Sequence, residues 1–168
     1  MIDTLGRYLA GFTNSQYQQA VRPPMRAVID RLSTQALTSS GLVINAGGAA
    51  FPKIGAAAFY ACVKGKLVTI AAGTAMPALT GVAVSAGYFN VVCFLVDVNG
   101  NMTAAAGSQA ATLAGVGWPP NVEGNALIGF LIITYASPFV GGTTPLDTAT
   151  TVYVSPLGAF DPTALTGY

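Results

Sequence analysis

The chain has 168 residues, 52% of them hydrophobic and only 8% charged, with a net charge of +1 and no histidine. This length suits one domain, and the missing histidine removes the commonest general base and metal ligand. Two cysteines cannot build a cysteine-rich zinc site, and six carboxylates without a close D-x-D or E-x-x-D pair announce neither a calcium loop nor a glycosidase.

Residues 1 to 12, M-I-D-T-L-G-R-Y-L-A-G-F, form an apolar-rich leader. Leu5, Tyr8, Leu9 and Phe12 are too apolar for a disordered tail, and an arm ordered against a partner fits them. The opening Met1-Ile2-Asp3 has no basic n-region and no apolar h-region, so synthesis and assembly in a cytoplasm are expected. Thr13 or Asn14 caps a short helix through Arg22 that carries Tyr17. Pro23 and Pro24 end it, and Pro24 can start the next. Met25, Val28, Ile29, Leu32 and Ala36 then recur at helical spacing, with Arg26, Asp30, Arg31 and Gln35 on other faces. This stripe packs either on the β-domain of its own chain or on symmetry mates.

After Ser39-Ser40 the pattern becomes β. Residues 1–38 are therefore read as a helical arm and 39–168 as an antiparallel β-domain. Gly41 to Ala46 reads as a short strand. Ala57 to Val63 and Lys66 to Ala71 read as a hairpin across Lys64-Gly65. Gly73 to Gly81 is a loop or edge segment, with Pro77 lacking a ladder donor. Val91 to Val96 is apolar without interruption, so both faces of that strand must meet something dry. It stops at Asp97-Val98-Asn99-Gly100, where Asn99-Gly100 predicts a tight primed turn with positive φ at both residues. A return strand runs from Asn101 toward Ala106, and Ala110 to Ala114 reads as a further short strand. Asn125 to Tyr135 is a second buried strand. Thr150 to Val154 alternates as a half-buried one. The tail from Ser155 to Tyr168 has Phe160 as its anchor. Many short strands with Gly/Pro/Asn turns and no βαβ spacing predict a mainly β fold, an antiparallel sandwich or barrel, jelly-roll-like.

Charged residues normally make up about a quarter of a soluble chain, so this one has little colloidal protection. A bilayer would hide such a surface, but the longest apolar run, Ala126 to Ala136, is too short for a helix crossing about 30 Å of hydrocarbon. Cover by copies of itself or by a larger assembly is expected instead. All seven basic residues precede residue 67 and face only Asp3 and Asp30, a balance of +5; the remainder carries Asp97, Glu123, Asp147 and Asp161, or −4. Chance accounts for this sorting as well as an acidic neighbour does. Nucleic acid is a poor candidate, because no Lys/Arg cluster interleaves with aromatics. Cys62 and Cys93 read as buried reduced thiols. Trp118-Pro119-Pro120 reads as a packed turn in preference to a carbohydrate platform. No catalytic group, metal or cofactor is expected.

The ordered series P-A-L-T-G-V-A-V-S-A-G-Y-F-N-V (Pro77 to Val91), L-V-D-V-N-G-N-M-T (Leu95 to Thr103), G-W-P-P-N-V-E-G-N-A-L-I-G-F-L-I-I (Gly117 to Ile133), F-V-G-G-T-T-P-L-D (Phe139 to Asp147) and V-S-P-L-G-A-F-D-P (Val154 to Pro162) resembles small virion proteins of tailed bacteriophages and prophages. The resemblance covers roughly residues 50 to 162 and leaves out the arm. It implies a head decoration, or cement, protein on the capsid exterior, with a phage fibre, collar or glycan-binding module as the alternative. The expected partners are further copies of this chain, as a trimer, and the phage major capsid protein, without membrane or nucleic acid. Leu5, Tyr8, Leu9, Phe12, Tyr17, Arg22, Met25, Arg26, Val28, Ile29 and Leu32 are the expected interface.

Overall fold

The computed structural model describes residues 33–119 and 124–158, together with Pro23, Met25 and Ile29. The chain is mainly β. Its strands are β1 (Gln35–Ala36), β2 (Val43–Ile44), β3 (Pro52–Lys53), β4 (Phe59–Val63), β5 (Lys66–Ile70), β6 (Ala83–Val84), β7 (Phe89–Val96), β8 (Met102–Ala106), β9 (Ala126–Thr134), β10 (Phe139–Val140) and β11 (Thr150–Val154). They form a four-stranded sheet in the order β11-β9-β7-β8, a three-stranded sheet β1-β4-β5, and the ladders β2-β3 and β10-β6. Every pairing is antiparallel. No sheet closes on itself, so the barrel expectation is corrected: the strand pairs are split among separate sheets.

β7 is buried from Asn90 to Val96, as its unbroken apolar run requires. Val92, Phe94 and Val96 face a main core that also takes Phe59, Ala61 and Val63 from β4 and Val68 and Ile70 from β5. The three-stranded sheet thus covers one face of the four-stranded sheet. Val91 and Cys93 face a second, smaller core with Phe130, Ile132 and Val154, roofed by Val116, Leu113 and Trp118. Each fully buried Phe, Leu or Val contributes about 1.5–3 kcal/mol of transfer free energy, so a strand dry on both sides is the natural spine.

β9 reaches both cores only through a change of phase. Ala126 and Ile128 face the main core, and so do Leu131 and Ile133, although strict alternation would turn the second pair away. The register explains this: Phe94 pairs with Gly129 and Leu95 with Leu127, leaving Ile128 as the extra residue of a bulge. The Ile128 carbonyl accepts a hydrogen bond from a side chain, Ser40, whose Oγ–H donates to it at 2.7 Å. Ser40 is fully buried, and its Oγ also shares a 2.9 Å hydrogen bond with Ser155 Oγ, which accepts the Leu42 N–H at 3.0 Å. A side chain at Gly129 would stand 2.6 Å from the Val154 carbonyl oxygen, so β11 can approach the bulge only over a glycine.

The two hairpins differ. Lys64 and Gly65 both have positive φ, 50° and 79°, and close β4 onto β5 with Val63 opposite Lys66, the primed two-residue turn. At the β7–β8 turn only Gly100 is left-handed, at 87°; among the described residues Lys64 is the sole non-glycine there. The expected turn at Asn99-Gly100 is therefore corrected. The Gly100 N–H donates to the Asp97 carbonyl at 3.1 Å and the Asp97 N–H to the Asn101 carbonyl at 3.0 Å, a three-residue loop in which only Gly100 needs positive φ. Asp97 selects this loop. Its Oδ1 accepts the Asn99 and Asn101 main-chain N–H groups and its Oδ2 the Asn101 side-chain amide, all at 2.8 Å.

Other expectations also change. Ala110 to Ala114 is not a strand: Ala110 makes a single bridge to Phe89, and Leu113–Gly115 is a 3-10 turn that roofs the second core. The strand expected over Gly41 to Ala46 shrinks to Val43–Ile44, where Gly41 is left-handed and cannot extend it. Ala36, placed by its spacing on a helical stripe, lies in β1 and is buried opposite Ala61, because pairing with β4 outweighs helix propensity over two residues. Pro23, Met25 and Ile29 are helical. The leader, the helix expected over 13–22, the other stripe residues before Ser33, and the tail beyond Gly158 with Phe160 lie outside the described residues.

Ser40→Ala leaves the Ile128 carbonyl without its donor. It is expected to lower unfolding free energy by about 1–3 kcal/mol, measured by urea denaturation. At the hairpin, the Asn101 side-chain amide first, then main-chain N–H groups, hold the Asp97 carboxyl below its ordinary value of 3.8. A depressed folded-state value stabilises the fold above the unfolded-state value, and the benefit is lost as pH falls through the folded one. Asp97→Ala is therefore expected to lower Tm at neutral pH, with the gap to wild type closing only at pH below 3.8; a gap constant with pH would refute this.

Candidate interaction surface

The three-stranded sheet has two apolar faces and covers only one. Along F-Y-A-C-V and K-L-V-T-I, Phe59, Ala61, Val63, Val68 and Ile70 point to the core. Period-two alternation turns Tyr60, Cys62, Leu67 and Thr69 outward. The register sets Gln35 beside Cys62 and Cys62 beside Leu67, with Tyr60 opposite Thr69. The Leu37 N–H donates to the Tyr60 carbonyl at 2.9 Å, which carries the outward row to Leu37. Beyond β11 the chain returns to the free edge of β1. The Gly158 N–H donates to the Ala36 carbonyl at 2.9 Å in an antiparallel bridge, bringing Leu157 opposite Leu37.

The result is a contiguous apolar row. Leu157 and Leu67 are each 61% exposed, Leu37 48% and Tyr60 39%. Large apolar side chains exposed singly are ordinary, whereas a contiguous group of them marks a surface that meets something. Lys64 stands at the hairpin end of the face, Lys66 lies opposite core-facing Val63 on the other side of the sheet, and no carboxylate lies on β1, β4 or β5. Cys62 is a free, half-buried thiol within the face. Cys93 is also free, on the far side of β7, where burial pushes its thiol well above the ordinary range.

Of the eleven residues expected at the interface, Met25 and Ile29 are described, helical and one turn apart, 52% and 57% exposed. Leu5, Tyr8, Leu9, Phe12, Tyr17, Arg22, Arg26, Val28 and Leu32 lie outside the described residues. Sequence reasoning missed Leu37, Tyr60, Leu67 and Leu157. The signal was present for two of them: Phe59 to Val63 is apolar at every position, and Leu67-Val68 is apolar on both faces, the same argument that located β7. Leu37 and Leu157 meet only through pairing across more than a hundred residues.

Elsewhere the surface offers little chemistry. Trp118 stands edge-on to Phe130, ring centroids 5.3 Å apart at 78°, the packed turn expected of it. A shallow open hollow bounded by Gly41, Val43, Gly55 and Gly73 holds one charged group, Lys53. Among the described residues no three His, Cys, Asp or Glu side chains converge as a metal site, and no helix is long and apolar enough to cross a membrane. Comparison with protein-family models, with curated proteins and with solved structures finds no match.

The second core and the exposed face lie on opposite sides of the four-stranded sheet, so they can be perturbed separately. Trp118→Ala is expected to cost about 2–3 kcal/mol of stability, less than the 3–5 of a fully buried aromatic, while self-association stays unchanged. Chemical denaturation and sedimentation velocity read the two quantities.

Proposed function

We propose that this chain is a structural virion protein, a bacteriophage capsid decoration or cement protein that acts as a homo-oligomer, a trimer, on the outside of the head. The observation that carries the reading is the apolar face of Leu37, Tyr60, Leu67 and Leu157, left open on a chain with 8% charged residues. A contiguous apolar group of this kind marks a contact surface. The exposed, helically spaced Met25 and Ile29 support a contact beyond the chain's own β-domain. The body is taken as an antiparallel sandwich of jelly-roll-like type, supported by two sheets that share one core.

Cementing a shell requires no bond to be made or broken. It requires a body that does not deform, and contacts to both itself and the major capsid protein. Each contact need only be modest, because an oligomer engaging several identical sites gains by effective concentration. Separating two shell subunits then also means breaking the contacts that straddle them. The fibre or glycan-binding alternative would use Trp118, whose ring is engaged with Phe130.

The test is the copy number of this chain on purified particles, by quantitative mass spectrometry against the major capsid protein. On the order of hundreds of copies per particle is expected, as multivalent decoration of a repeating shell demands. A few copies at one vertex, or a soluble monomer that never binds particles, would overturn the reading.

A further inference from the structure

The chain holds a single Asn-Gly step, Asn99-Gly100. An asparagine side chain is open to attack by the main-chain nitrogen of the next residue, and a glycine there puts no side chain in the way. The Gly100 nitrogen bonds to the Asn99 side-chain carbonyl carbon. The carbon–nitrogen bond of the side-chain amide breaks, and ammonia leaves with the proton that the Gly100 nitrogen gives up. Water then opens the cyclic succinimide at either carbonyl, giving aspartate or isoaspartate. Asn99 and Gly100 are exposed in the loop between β7 and β8, and no hydrogen bond among the described residues holds the Asn99 side-chain amide. The neighbouring asparagines are placed differently. Asn90 is buried, its Oδ1 accepts the Val91 N–H at 2.8 Å, and a β-branched residue follows it. The Asn101 amide is held on Asp97 Oδ2, and Met102 follows it.

We infer that Asn99 is a site of spontaneous succinimide formation and deamidation, and that the loop gathered by Asp97 restrains it. Ring closure needs the Gly100 nitrogen to lose its proton and turn toward the Asn99 side chain. In this loop the Gly100 N–H is engaged by the Asp97 carbonyl at 3.1 Å. The Asn99 and Asn101 N–H groups on either side both donate to Asp97 Oδ1 at 2.8 Å, so the reacting peptide unit is pinned on both flanks. The Asp97 carboxylate also opposes negative charge on a nearby nitrogen as its proton leaves. Attack therefore waits on opening of the loop, a local event that leaves the β-body folded. Conversion sets a second carboxylate close to that of Asp97, and the isoaspartate form lengthens the main chain by one methylene where β7 turns into β8. Both changes work against the loop. A shell component is not replaced after assembly, so in the proposed role this restraint governs how long the hairpin lasts; the chemistry itself does not depend on that role.

The full-length protein, kept at mildly alkaline pH, sampled over time and digested, is read by mass spectrometry. The Asn99 peptide gains the mass of an amide-to-acid exchange and separates into aspartate and isoaspartate forms. Asn99 is expected to convert ahead of Asn45, Asn90, Asn101 and Asn125, and about tenfold more slowly in the folded chain than in urea, as a reaction gated by local opening does. The Asp97 carboxylate makes three of the loop's hydrogen bonds. Asp97→Ala is therefore expected to raise the folded-state rate about tenfold, each such bond contributing a modest net amount. Trp118→Ala, which weakens the fold without touching the loop, is expected to leave the rate unchanged. Equal rates in the folded and urea-unfolded chain would overturn the inference. So would Asp97→Ala converting no faster than wild type, Trp118→Ala accelerating as much as Asp97→Ala, or another of these asparagines converting first. Should Asp97→Ala not fold, Asn101→Ala removes the Oδ2 contact alone, and a rate no higher than that of wild type would count equally against the inference.

Discussion

The fold depends on one pairing, β7 with β9, in which both strands are dry on both faces. Two cores lie back to back across this ladder. The larger joins the four-stranded sheet to the three-stranded one, and the smaller is roofed by the loop from Ala110 to Trp118. Neither core would be sealed if β9 kept strict alternation. The bulge at Ile128 lets one strand present Ile128, Leu131 and Ile133 to one side and Phe130 and Ile132 to the other. The Ile128 carbonyl lies in a water-free place, where an unpaired polar group costs about 1–3 kcal/mol. Ser40 offsets this and, with Ser155, ties the segment before β2 to the segment after β11.

That tie has a consequence at the surface. Holding the chain after β11 near Ser40 also returns it to β1, where Gly158 bridges Ala36 and sets Leu157 beside Leu37. The apolar outer face is thus assembled from segments far apart in sequence, and its outline depends on the same contacts that satisfy the Ile128 carbonyl. The interior is closely packed and paired, and the outer face of the three-stranded sheet is left apolar. That division fits the proposed role as a shell component, in which the body resists deformation and the open face joins copies.

Charge contributes little here. Asp97 and Asp147 are used locally, Asp97 to shape its own hairpin and Asp147 to accept the Gly48 N–H at 2.8 Å. The bases Lys64 and Lys66 sit at a turn. The association proposed above would be governed by apolar area, with weak salt dependence, because few exposed charges are available to be screened.

The amino-acid sequence by itself determined the β class, the two strands buried on both faces, the Lys64-Gly65 hairpin and the surface poor in charge. Each follows from local composition: an unbroken run of Val, Cys, Phe and Leu has nowhere wet to point, and a Lys-Gly pair between two strands accepts positive φ. Tertiary structure alone decided the rest. Asn99-Gly100 has the composition of a primed turn, but the Asp97 carboxylate gathers the neighbouring N–H groups into a longer loop. Ala36 sits on helical spacing, yet a partner strand claims it. The bulge at Ile128, the Ser40 donor and the meeting of Leu37 with Leu157 are pairings between distant segments, and periodicity within a segment holds no information about which distant segment will lie beside it.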